Sequence, residues 1–128
     1  MIEINNLTKT KIDEEYIRGI AKKTIEEVNL KKEEISIAFV GKEKITELNK
    51  KHRNRNHPTD VLAFDYGEII ICIDQAEKQA KENKHSLKKE LAILIIHGML
   101  HIAGYEDETE KEYNQMHKKQ KEIIKKII

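Results

Sequence analysis

VLAFDYGEIIICI, residues 61–73, holds two runs of β-branched and aromatic residues that meet at Gly67. Residues 61–66 and 68–73 read as two strands with a tight connection between them. Downstream, Asp74 can cap a helix reaching about residue 83. Ser86 can cap a longer one, LKKELAILIIHGMLHIA, with Gly104 as its stop. A charged amphipathic helix is expected over 109–127, where Tyr113, Met116, Ile123 and Ile127 keep helical spacing. Upstream, ISIAFV at 35–40 is another strand, ended by Gly41, and 42–51 a short helix. Asp13 can cap a helix to about residue 28, with Ile17, Ile20, Ala21, Ile25 and Val28 on one face. Residues 1–6 suit a short edge strand. Strands mixed with helices predict an α+β fold, a small mixed sheet packed with helices. Without a repeat or a visible linker, residues 1–128 are expected to form one domain.

The long helix ends in HGMLHIAGYED, residues 97–107. Histidines four apart share a helix face, so His97 and His101 can bind one tetrahedral ion. Gly104 can take the left-handed turn that ends the helix, and Asp107, three residues on, can close on the same metal. The spacing matches the metzincin ligand pattern with Asp in the last place. Three protein ligands leave an open position for water, the catalytic rather than the structural arrangement. His117, on the last helix, is the rival third ligand. The competing reading is a packed helix end followed by solvated acids. Zinc proteases of the H-E-x-x-H type carry their general base where this chain has Gly98, so peptide hydrolysis is not expected.

LNKKHRNRNHPTDVLAF, residues 48–64, is the second unusual stretch. It gathers Lys50, Lys51, Arg53 and Arg55 with His52 and His57 into a polar segment ahead of a strand. Pro58 fixes the backbone, and Thr59 and Asp60 lead into the strand. Planar guanidiniums suit phosphate contact, against a solvated basic loop as the alternative. No aromatics are interleaved with these cations, so base stacking is not expected as a main binding mode.

The totals narrow the classes. Lys and Arg number 24 against 23 Asp and Glu, a net charge of +1. That balance excludes a general polyanion binder driven by charge alone and leaves room for a local basic patch. A single cysteine, Cys72, cannot form an internal disulfide and reads as a buried small hydrophobe in a reducing compartment. No apolar stretch has membrane-spanning length and the first residues lack a signal-peptide core, so a soluble cytoplasmic protein is expected.

Together the two stretches resemble the YbeY family of bacterial rRNA-maturation endoribonucleases, a metalloprotein family. Its motif H-G-x-L-H-L-x-G-Y-D-H is similar to HGMLHIAGYED, and its segment L-N-x-x-Y-R-x-x-D-x-P-T-D-V-L-S-F to LNKKHRNRNHPTDVLAF. Its G-D-I-x-I strand is similar to GEIIIC. The resemblance implies one zinc per chain, with His97 and His101 in the first two ligand places, and Arg53 as the functional arginine. It also implies single-stranded RNA as substrate, with roles in 16S rRNA 3′-end maturation and ribosome quality control. The implied partners are the 16S rRNA precursor and the ribosome or its small subunit. The family has histidine where this chain has Asp107. A carboxylate keeps the ligand count but is a harder, charged donor, which opens the site to another divalent metal. The family tyrosine before the arginine is His52 here, and its acid before the proline is Asn56.

The expected mechanism has the metal polarise a water or a phosphoryl oxygen while Arg53, with Arg55, holds the scissile phosphate. Lys50 and Lys51 are further phosphate contacts, and Glu106 and Asp60 candidate proton carriers. The rival classes are a non-catalytic ribosome-assembly factor with a structural metal and another zinc-dependent hydrolase.

Overall fold

The computed structural model describes residues 1–31, 34–53 and 59–128, with the Arg53 side chain outside that description. The elements run β1 (Ile2–Asn6), α1 (Glu14–Val28), β2 (Ile35–Val40), α2 (Lys42–Arg53), β3 (Val61–Phe64), β4 (Glu68–Cys72), α3 (Ile73–Glu82), α4 (Leu87–Ile102) and α5 (Glu110–Ile127). The strands form one mixed sheet in the order β1-β2-β4-β3. β1 and β4 both pair with β2 in parallel, and β3 returns antiparallel to β4, with Val61 opposite Ile71 and Phe64 opposite Glu68. The fold is the expected α+β sheet-and-helix layer structure.

The run EIIIC lacks alternation because β4 is covered on both faces. Ile69 and Ile71 face the main core with Ile37, Ile95 and Met99, while Ile70 and Cys72 face a smaller cluster with Ile45 and Leu62. α4 crosses the main-core face and is buried on nearly every side, from Glu90 to Ile102. It contacts α1, α3 and α5 as well as β3 and β4. The helix carrying both histidines is therefore held rigidly from several directions.

Three local expectations change. The second strand pair is shorter, because residues 65–67 form the turn; Gly67 sits at φ +111°, and a Cβ there would stand 2.7 Å from the Glu34 carbonyl oxygen. Asp74 does not cap α3. That helix begins at Ile73, and the Asp74 carboxylate instead accepts from the Lys42 backbone N–H at 2.8 Å, satisfying the start of α2. α2 itself runs two residues past its expected end, to Arg53, so His52 belongs to the helix along with Lys50 and Lys51. The expected caps at Asp13 and Ser86 are present, each accepting a backbone N–H three residues on. α5 starts with a full capping box between Thr109 and Glu112. Arg55, His57 and Pro58 lie outside the described residues.

Candidate metal centre and cleft

His97 and His101 stand one turn apart on α4 with their rings nearly perpendicular, centroids 4.8 Å apart. Their Nε2 atoms are 3.2 Å from each other. Gly104, at φ +104°, turns the chain back, so the Tyr105 carbonyl reaches His101 Nδ1 at 3.0 Å and Asp107 Oδ2 comes within 3.7 Å of His101 Nε2. Among the described residues, His97, His101 and Asp107 form a group whose ligand atoms all lie within 4.8 Å of one another.

The donor chemistry fits a cation. Gln120 Oε1 lies 2.8 Å from His97 Nδ1, so each ring has an oxygen acceptor at Nδ1. An Nδ1–H given to each acceptor leaves a lone pair on both Nε2 atoms, which lie close together. Donors on a tetrahedral zinc sit about 3.3 Å apart, given zinc–nitrogen bonds of about 2.0–2.1 Å. The 3.2 Å separation of the two Nε2 atoms matches that spacing. His117 stands apart from the group: its ring packs on Tyr113 at 3.9 Å, 6.5 Å from the His97 ring.

The group opens into a cleft of about 810 Å³ walled by β3 and the segment after α4. Asp60, Asp65, Glu106 and Glu108 line it, along with His52 from the end of α2. Of the proposed proton carriers, both Asp60 and Glu106 therefore reach the cleft. Asp60 also accepts from Gln79 Nε2 at 3.3 Å, and the same amide donates to the buried Glu90 at 2.9 Å. Lys50 and Lys51 are exposed and make no ion pair among the described residues.

Gly98 has a steric reason. A Cβ at this position would lie 3.1 Å from two carbon atoms of Ile69, so α4 presses directly on the sheet here. A side chain at 98 would point at the core, away from the cleft. Sequence reading had no way to find Gln120 from the histidine motif. The signal was a polar residue between Met116 and Ile123 on the buried stripe of α5.

Residues 3–128 match the family described as Endoribonuclease YbeY. A curated Endoribonuclease YbeY from Bacillus licheniformis is 39% identical, covering 71% of this chain and 70% of its own. One from Phytoplasma australiense is 38% identical, covering 98% and 94%. The solution structure of TM1509 from Thermotoga maritima is similar with a TM-score of 0.71 at 32% identity, covering 99% of this chain and 89% of that one. No described helix is long and apolar enough to cross a membrane.

Proposed function

Because the chain belongs to the YbeY endoribonuclease family, we propose that it cleaves single-stranded RNA at a divalent metal, zinc, held by His97, His101 and Asp107. Its cellular substrate on this reading is the 16S rRNA precursor at its 3′ end, met on the ribosome or small subunit in the cytoplasm, with a part in ribosome quality control. One observation carries the metal assignment: two Nε2 atoms and a carboxylate converge at the floor of an open cleft, with both Nδ1 atoms matched to acceptors.

A divalent ion bound there supplies Lewis-acid polarisation of phosphate and of water. The chain supplies the rest. The cleft walls are acidic, so a polyanion entering them needs cations at the rim. The end of α2 provides Lys50 and Lys51, with Arg53 and Arg55 following in sequence. Arg53, next in sequence to cleft-lining His52, holds the scissile phosphate on this reading and offsets the charge that develops on it, a role that the family resemblance implies. Asp60 or Glu106 carries the proton. Asp60 is steadied for this by Gln79.

The test is end-labelled single-stranded RNA mixed with chelator-stripped protein, with and without zinc, beside His101→Ala. Zinc-dependent cleavage lost in the variant supports the reading. Absence of cleavage on both free RNA and isolated small subunits, with binding to the subunits retained, would replace it with an assembly factor whose metal is structural.

A further inference from the structure

Phe64 ends β3, and Tyr66 follows two residues later in the turn. Their rings stack with centroids 5.5 Å apart and planes 14° from parallel. His52, from the last turn of α2, meets Phe64 edge-on at 5.2 Å. Two rings close in sequence and one from the preceding helix thus form a row. Phe64 is seated on the small cluster that contains Ile45, Leu62 and Ile70. Tyr66 is 63% exposed, yet its hydroxyl donates to Glu68 Oε1 at 2.8 Å, which fixes the ring. That bond also raises the phenol above its ordinary pKa. Tyr66 thus presents a large, anchored ring to water.

The row adjoins the cleft. His52 and Phe64 line the same cavity as His97, His101 and Asp107, while Tyr66, stacked on Phe64, lines a separate hollow beside Ser36 and Glu68. Lys50 and Lys51 stand on the helical turn that carries His52. Ring faces within one helical turn of exposed cations offer both halves of a nucleotide a match, the base on the rings and the phosphate on the ammonium groups. Only a strand with unpaired bases can use them, because duplex bases are already stacked.

We propose that His52, Phe64 and Tyr66 form a stacking subsite for the bases of single-stranded RNA flanking the phosphate held in the cleft. The subsite rests on the ribonuclease reading above. It gives contact without sequence preference, since every base has a π face. Sequence alone missed it because the rings come from the end of a helix, the end of a strand and a turn.

The chain has no tryptophan, so Tyr66→Trp introduces a single reporter. The probes are a labelled oligouridylate of about ten nucleotides and an abasic ribose–phosphate chain of the same length, at one fixed salt concentration. Tyr66→Ala should weaken oligouridylate binding roughly 5- to 150-fold, the loss expected for one stacked base, and leave the abasic chain unaffected. Tyr66→Phe keeps the ring without the hydroxyl bond to Glu68 that fixes it and should retain most of the affinity that Tyr66→Ala loses. Oligouridylate should quench the Tyr66→Trp emission, and the abasic chain should not. Full affinity in Tyr66→Ala, or equal quenching by both chains, overturns the subsite and leaves the ribonuclease reading standing. If the unsubstituted protein binds neither chain, both fail together.

Discussion

Gln120 Oε1 on α5 reaches 2.8 Å to His97 Nδ1 on α4, so the last helix of the chain orients the first residue of the metal group. Partners of this kind fix a ligand's tautomer, and losing one typically weakens metal affinity about 10- to 100-fold. Gln120→Ala should show that loss in a competition assay with a chromophoric chelator, with helix content by circular dichroism unchanged. Gln120→Glu keeps the acceptor and should restore affinity. Undiminished zinc affinity in Gln120→Ala would mean that His97 orients without help.

Asp107 gives a second prediction, which also decides between it and His117. A ligand at about 100 times its Kd stabilises the native state by about 2.7 kcal/mol. Zinc should therefore raise the melting temperature of the unsubstituted protein and have no effect on His97→Ala. Asp107→Ala should lose most of the rise and His117→Ala little of it. The reverse order would make His117 the third ligand. Asp107→His, the residue that the resembled motif carries in this place, should favour zinc over manganese more strongly than Asp107 does, because imidazole is the softer donor.

The sequence revealed elements wherever one rule governed them. The β4 run EIIIC, the Asp13 and Ser86 caps and the stop at Gly104 each follow from local chemistry, with β4 one residue shorter than its pattern suggests. The histidine pair was legible for the same reason: helical spacing fixes the geometry of His97 and His101 before any tertiary contact forms. What stayed hidden depends on residues meeting across the fold. Asp74 satisfies the start of a helix more than thirty residues away, a pairing that local pattern does not encode. Gln120, Gln79 and the ring row beside the cleft are of the same kind.

Glu90 is a buried carboxylate on α4, 4% exposed, held between His85 Nε2 at 2.6 Å and Gln79 Nε2 at 2.9 Å. Truncating it leaves a cavity, takes this partner from the His85 ring and leaves the Gln79 amide with Asp60 alone. Glu90→Ala should cost about 2–4 kcal/mol, read as a lower urea midpoint at similar slope. Glu90→Gln keeps the volume and should cost less. A Glu90→Ala midpoint equal to that of the unsubstituted protein would show that solvent fills the gap and satisfies both neighbours.

Asp13 gives a pH dependence. The Tyr16 backbone N–H, and then Lys88 at 3.3 Å, hold its carboxyl below the ordinary carboxylate value of about 3.9. A depressed folded-state pKa means that the cap's contribution is fully present above that ordinary value. It is lost as pH falls through the lower folded value. The stability gap between the unsubstituted protein and Asp13→Ala should therefore be constant near neutrality and close only in strong acid. Asp13→Asn keeps the cap acceptor without the charge, so its gap should be smaller and flatter with pH. A gap that widens on acidification would contradict the cap assignment.

Gly98 decides whether this scaffold can carry the base of a zinc peptidase. Alanine at a helix interior normally gains about 1 kcal/mol over glycine, while overpacking a full core costs about 1–3 kcal/mol. The 3.1 Å approach to Ile69 puts Gly98→Ala on the crowded side, because Ile69 is fully buried on a strand paired on both edges. Its melting temperature should fall despite the better helix propensity. Gly98→Glu adds a carboxylate aimed at the sheet, at a cost of several kcal/mol, and should unfold the protein without conferring peptide cleavage. A folded Gly98→Glu protein that hydrolyses peptides would show that α4 can rotate this position into the cleft, which the packing against Ile69 opposes.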